Sequence, residues 1–383
     1  PQYAFTIWVY NAIFILTTAF AFLSNSKSKI IVSQKRSLSS QKVFFYLSFL
    51  CAWIFFAFSS TGTDYQAYVS MYENASFSDS FFLSRTTEKG YLIMNVILKY
   101  FIPNAYFGIA FIKTITLLLV WGGIRSLRSQ IHIGFAVMAY MALFYFQSFN
   151  LLRISLSGSI CFIAFVYLIK NKKKSAILLT ICAISIHRSA LLFLITLMAY
   201  FLYRFSARFK SVYRILLLFA VLILTYLGND IIIRTIESGL LGDRSSYRYS
   251  GYLGSNSTFG YAQIVFYLPV FFMIFDLLKT KSLRNSVFGE LFYIWVFTSF
   301  IVALLGYDFG ILTRAAIYFS PVFVIFIPYY MRYRQDGSIP SYNRKRLSYS
   351  ILSVVIFCYW ILRYMLTISS LFIPSGLYEY IMF

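Results

Sequence analysis

Residues 3–23 contain no charged side chain, and runs nearly as bare return along the chain as far as 347–370. At 1.5 Å per residue, about twenty helical residues match a hydrocarbon core of about 30 Å. Inside that core the backbone must satisfy its own hydrogen bonds, which leaves helices or closed barrels. The ten-residue alternation of a barrel strand is missing, so helices are expected. With 60% hydrophobic and 12% charged residues the chain falls outside the range of ordinary water-soluble domains. The expected fold class is all-α, a polytopic integral membrane helical bundle.

A formal charge of +22 would suggest nucleic acid in a soluble protein. Most basic residues instead gather in six short connections, around 27–42, 125–128, 170–174, 204–214, 279–284 and 332–346. That distribution is the positive-inside rule, and no nucleic-acid partner is expected. Between the clusters lie about twelve apolar spans: 3–23, 43–59, 104–124, 131–149, 151–169, 175–187, 189–203, 212–228, 261–278, 287–306, 311–331 and 347–370. Placing every cluster in the cytoplasm puts both termini outside. Residues 3–23 lack the basic start and small-residue cleavage site of a secretory signal and read as a first span. The whole of 1–383 is expected to be one transmembrane domain. Cys51, Cys161, Cys182 and Cys358 lie in apolar segments without ligand spacing, so no structural disulfide is expected.

This topology sends residues 60–103 and 229–260 to the external face, together with nine of the twelve acids. Arginines at external span ends run against the positive-inside bias and ask for a reason. Asp64, Tyr68 and Tyr72 recur every four positions and would share one row of a short helix. The stretch 91–102 is too short to cross and is expected at the interface or re-entrant. Residues 229–260, rich in Gly, Ser, Tyr and Arg, read as a cover over a site.

Arg153 follows Asn150 by three residues and precedes Ser157 by four, which would place all three on one helix face. A guanidinium there needs a polar cavity or an anion, or else snorkels to headgroups. Arg314 stands four residues before Tyr318 and near Asp308, with a structural ion pair as its alternative. His187 and Arg188 mark the junction of two short spans, where consecutive helical residues would point about 100° apart. A lone histidine is more often structural than catalytic. Beside external arginines, His187 also fits a general base next to an anion clamp. His132 follows a basic cluster and is expected at the interface. The sequence lacks a D-x-D pair, an H-x-x-x-H pair, a Walker loop and a G-x-S-x-G elbow. Arginine forks rather than a metal would therefore hold any phosphate-bearing substrate, and no cofactor is expected.

Five stretches occur in order: TGTDYQAYVSMY, TEKGYLIMNVIL, NLLRISLSGSICFIAF, AISIHRSALLFL after a lysine-rich turn, and LTRAAIYFSP. This succession resembles the EpsG-like branch of the Wzy-type O-antigen and exopolysaccharide polymerases. One departure is visible: where the family often has R-Q-x-x-A, Arg153 is followed by Ile154 and Ser155. The resemblance implies a metal-independent, GT-C-like glycosyltransferase of the bacterial inner membrane with its site facing the periplasm. Its substrates would be undecaprenyl-diphosphate-linked oligosaccharides, and a growing glycan would pass to a sugar hydroxyl of the next lipid-linked repeat. It also leaves room for a chain-length-regulating co-polymerase as partner. Diphosphate contacts would fall first to Arg153 and Arg314, then to Arg188, Arg248 and Arg244, with Asn150, Tyr68 and Tyr318 nearby. The base would be His187, with Asp64 or Glu88 as alternatives, and Tyr65, Tyr68, Tyr247, Tyr249 and Tyr252 are candidates for stacking on sugars.

Two other classes share the topology. A lipid-linked oligosaccharide flippase would place charges near the bilayer midplane and show related halves. Lys113 and Arg363 are the basic residues deep in spans, and no repeat relates the halves. An O-antigen ligase or a sugar-modifying acyltransferase is the third class; the ligase would use the same arginines and differ in its acceptor.

Overall fold

The structure is a computed structural model that describes residues 2–25, 40–83, 87–205, 260–278, 292, 295–301, 317–319, 321–335, 342–372 and 380–382. It is nearly all helical, and among the described residues no β-strand is present beyond one isolated bridge between Ser59 and Met382. The helices are α1 (Gln2–Leu23), α2 (Ser40–Ala57), α3 (Tyr65–Glu73), α4 (Asp79–Leu83), α5 (Lys89–Phe101), α6 (Ala105–Ser126) and α7 (Ile133–Tyr140). They continue as α8 (Leu152–Ile169), α9 (Lys173–Ile186), α10 (Phe193–Phe205), α11 (Gly260–Leu278), α12 (Pro321–Gln335) and α13 (Tyr342–Phe372).

Five helical segments among the described residues are long and apolar enough to cross a membrane: Ala4–Leu23, Ser40–Ala57, Ala105–Ser126, Leu152–Ile169 and Tyr349–Ser369. Each coincides with an expected span. Shorter apolar helices occupy Ile133–Tyr145, Arg188–Phe201 and Val265–Ile274. The expected span 212–228 and the cover at 229–260 lie outside the described residues. The chain divides into two compact units, residues 1–188 with 323–383, and residues 189–322.

In the first unit, α8 packs against α9 and α6, and α1 against α2 and α7. Several polar side chains inside this bundle bond to backbone carbonyls. Ser157 donates to the Ala183 carbonyl at 2.9 Å and so ties α8 to α9. After Tyr140 the helix widens into a π-turn at Met141–Tyr145, followed by a 3₁₀ turn at Gln147–Phe149. A π-turn displaces carbonyls from the α ladder. Here Ala142 O accepts from Thr367 Oγ1 of α13 at 2.8 Å, while the Tyr145 hydroxyl reaches Ala52 O of α2 at 2.7 Å. His132 caps α7: its Nδ1 accepts from the Phe135 N–H at 3.4 Å and faces Asn25 Nδ2 at the same distance. A structural role accounts for it.

Residues 60–103 form short helices rather than a bare loop. Ala75, Phe81, Leu92 and Val96 make a small core joining α3, α4 and α5. With thirteen residues, α5 would extend about 20 Å and does not cross a bilayer. It buries Tyr91, Leu92 and Val96 while exposing Ile93, Ile97 and Tyr100, as a helix lying between protein and lipid does. The Tyr72 hydroxyl donates to Ile102 O at 2.8 Å, and its ring lies against Gly108, which fastens α3 to α6.

The turn into α3 depends on Gly62, whose φ of +117° is one that L side chains rarely adopt. A Cβ there would also stand 2.8 Å from Phe149 O. Gly62→Ala should therefore cost on the order of 1–3 kcal/mol and lower the melting temperature of detergent-purified protein. Gly122→Ala, where a Cβ meets nothing within 4 Å, should leave the melting temperature unchanged or raise it. Equal melting of the two variants would remove the turn's dependence on Gly62.

Candidate active site

Arg153 lies in the first turn of α8, where the helix dipole is positive and a second cation is disfavoured. Something other than the helix must hold it. That partner is Glu88, whose Oε2 accepts from Arg153 Nη1 at 2.8 Å. Glu88 itself sits at the N-cap of α5, where a carboxylate suits the dipole, and its side chain is 12% exposed. Its other oxygen, Oε1, accepts from the backbone N–H of Arg188 at 3.0 Å and lies 3.4 Å from Arg188 Nε. One carboxylate thus serves two guanidinium-bearing residues on different elements.

The backbone makes this convergence available. His187 ends α9 in an extended conformation, φ −150° and ψ 119°. The helical ladder therefore stops there, and the N–H of Arg188 turns to Glu88 rather than to a carbonyl of α9. The expected 100° separation of His187 and Arg188 does not hold, because His187 is not helical. Gly90 lets the start of α5 approach α9: a Cβ at that position would fall 2.5 Å from Ser185 O.

Burial by itself would raise the Glu88 carboxyl, but the Arg188 N–H and the charges of His187 and Arg153 outweigh it and hold Glu88 below its ordinary value of 4.5. Tyr91 lies under the Arg153 guanidinium, 5.7 Å from ring centroid to Cζ, and meets Tyr68 edge-on at 6.5 Å. Burial pushes the Tyr68 hydroxyl up while Arg153 opposes it. As expected from their spacing, Tyr68 and Tyr72 follow Asp64 along α3, and both tyrosines are buried. Asp64, at the start of that helix, is exposed.

Asn150 departs from its expected place. The chain between α7 and α8 passes through π and 3₁₀ turns, and α8 begins only at Leu152, so Asn150 precedes the helix that carries Arg153 and Ser157. Its Oδ1 instead accepts from the Asp64 N–H at 2.8 Å and the Thr63 hydroxyl at 3.1 Å. Asn150 therefore fixes the segment that brings Asp64 and Tyr68 toward Arg153. Stacking on sugars by Tyr65 and Tyr68 meets an obstacle too: both are buried, and their rings are covered by protein.

In the second unit the Tyr318 hydroxyl pairs with Ser189 Oγ at 2.9 Å, and Tyr318 is buried. Arg314, Arg244 and Arg248, with Tyr247, Tyr249, Tyr252 and Asp308, lie outside the described residues. Sequence reasoning passed over Tyr91 and Gly90, although both stand in the TEKGY stretch beside Glu88. Among the described residues no three His, Cys, Asp or Glu side chains gather as a metal site.

Residues 42–382 match the model of the EpsG family. The chain belongs to the EpsG family. It is accordingly a membrane protein of polysaccharide biosynthesis, polymerase-like and broadly glycosyltransferase-like. No curated protein and no solved structure matches it.

Because the folded-state carboxyl of Glu88 titrates lower than the unfolded one, its contribution to stability is present in full above pH 4.5 and is lost as pH falls through the lower folded value. Glu88→Gln should melt at a lower temperature than the parent at pH 7, and the gap should close on acidification below pH 4.5. A gap independent of pH would show that charge pairing is not what Glu88 contributes.

Proposed function

We propose that this EpsG-family protein is a Wzy-type polymerase acting on undecaprenyl-diphosphate-linked oligosaccharides. It transfers the growing glycan from its lipid diphosphate to a sugar hydroxyl of the next lipid-linked repeat. In this reading residues 1–383 form one membrane domain of about twelve spans in the bacterial inner membrane. The Glu88 end faces the periplasm, and the loops 60–103 and 229–260 both contribute to the site. The observation that carries the proposal is the sharing of Glu88 between Arg153 and Arg188. Both guanidinium groups meet this one carboxylate, and the Arg153 and Arg188 side chains are 25% and 59% exposed.

In the reaction, the acceptor hydroxyl oxygen bonds to the anomeric carbon of the donor sugar as that carbon's bond to the diphosphate oxygen breaks. The bonding electrons leave with the diphosphate, and Arg153 and Arg188 meet the charge that develops there. Arg314, Arg248 and Arg244 join them in this assignment. The hydroxyl proton passes to His187, which adjoins Arg188 and interacts electrostatically with Glu88. Glu88 suits a base poorly, since the same contacts that orient the arginines stabilise its charged form. It is assigned as a positioning residue, with Asp64 as the alternative base.

A flippase is the weaker reading. Lys113, deep in α6, is 1% exposed and donates to Ser59 O at 2.6 Å and Ser59 Oγ at 3.1 Å. The rings of Tyr65, Phe56 and Phe149 stand 5.1–5.9 Å from its ammonium. A cation enclosed in this way braces the bundle rather than lining a transport path.

Purified protein given lipid-linked repeats and no other component should lengthen them, whereas a flippase would leave their length unchanged. Arg153→Ala should reduce elongation by about 10²–10³-fold with the protein still in the membrane. Normal chain lengths from that variant would count against the diphosphate clamp. For His187→Ala the single-turnover rate should fall by about 10²–10⁴-fold with little change in substrate affinity. An unchanged rate would remove His187 from the base role.

A further inference from the structure

At the end of the bundle away from Glu88, a cavity of about 380 Å³ opens between the end of α1, the start of α2, the end of α6 and the start of α7. The span of α6 separates the two sites, since its twenty-two residues rise about 33 Å. Its Ala105 end meets α3 and its Arg125 end lines the cavity. Lys42, Arg125, Arg128 and Arg332 all line this space, and none of its described lining residues is a carboxylate.

The positive-inside rule accounts for the number of cations at this end. It does not account for four of them, from α2, α12 and the end of α6 with its following turn, bordering one hollow. Like charges bordering one cavity, as those of Lys42, Arg125 and Arg128 do, repel, and an anion placed among them relieves that repulsion. Arg125 is also held in place rather than free in solvent: its Nη1 donates to the Tyr46 hydroxyl at 2.5 Å, and its guanidinium lies 5.3 Å from the ring centroid.

Apolar surface leads from the cavity toward the middle of the bundle. On α2, Tyr46 and Leu50 are 47% and 42% exposed, one helical turn apart. On the adjacent α6, Leu118 is 53% exposed and Gly122 has open space beside it. A cationic hollow continuous with an exposed apolar strip matches an amphiphile, with phosphate at the cavity and acyl chain along the strip. Free phosphate would use only the first of these features.

We propose that this cavity is a binding site for the phosphate headgroup of an anionic phospholipid, separate from the Glu88 site. The full-length protein in a neutral maltoside detergent provides the test. Thermal unfolding and native mass spectrometry are followed with phosphatidylglycerol, with phosphatidylcholine of the same chains, and with sodium phosphate. Phosphatidylglycerol should raise the melting temperature and appear as a retained adduct, while the other two should do neither. Arg125→Gln with Arg128→Gln should weaken phosphatidylglycerol binding by at least about fivefold, near the value of a single charge at a membrane surface. Lys172→Gln with Lys173→Gln removes the same charge elsewhere and should bind like the parent. Lys42→Gln tests the same cavity should the double arginine variant fail to fold. Equal loss in the arginine and lysine double variants would overturn the proposal in favour of diffuse charge. A full effect from sodium phosphate would overturn it in favour of a free anion, and binding undiminished in the cavity variants would overturn it outright.

Discussion

The Glu88 carboxylate joins α5, α8 and the chain beyond α9, and the geometry of this end of the bundle follows from that junction. An unpaired guanidinium at the N-terminus of α8 would face the positive end of the helix dipole in a half-buried setting. An unpaired carboxylate at Glu88 would be similarly costly. Together they are stable, and charge-assisted hydrogen bonds of this kind contribute roughly 1.5–3 kcal/mol each. The second oxygen then holds Arg188 at its backbone as well as its side chain, and that side chain is 59% exposed.

The surrounding contacts serve the same end. Asn150 clamps the turn that Gly62 permits, so α3 begins where Tyr68 can pack beside Tyr91 beneath Arg153. Below that turn, Lys113 holds Ser59 from within the bundle, and the Thr61 hydroxyl accepts from the Ile381 N–H at 3.0 Å. The segment 59–64 is thus held through both its backbone and its side chains. Several of these bonds end on backbone carbonyls or amides, a mode suited to fixing a loop against a membrane-embedded scaffold.

Much of this frame was legible in the sequence because its signals are local. Charge-free runs marked the spans, and the four-residue spacing of Asp64, Tyr68 and Tyr72 marked α3. The order of short motifs carried the family. What escaped were relations set by distance along the chain. Glu88 meets Arg153 from 65 positions away and Arg188 from 100. No periodicity encodes a pairing that depends on Gly90 lying against Ser185. Unbroken helical spacing would put Asn150 on α8, whereas the π and 3₁₀ turns before Leu152 break that register. Irregular turns leave little trace in hydropathy, since Met141–Tyr145 is as apolar as the helix it interrupts.

The pairing at Glu88 also bears on how labour divides within the site. A base must gain a proton at the moment a hydroxyl loses one, and a carboxylate stabilised in its charged form has little driving force to do so. Shifting Glu88 toward basicity would require withdrawing the Arg188 N–H or the Arg153 charge, which are the contacts that set the arginines in place. Positioning and proton transfer therefore oppose one another at this residue. In the proposed reaction the proton therefore goes to the neighbouring His187 imidazole, and Glu88 is left to hold the arginines. His187, extended at the end of α9 and adjacent to the anchored Arg188, occupies the junction where such a group can act while the Glu88 clamp stays closed.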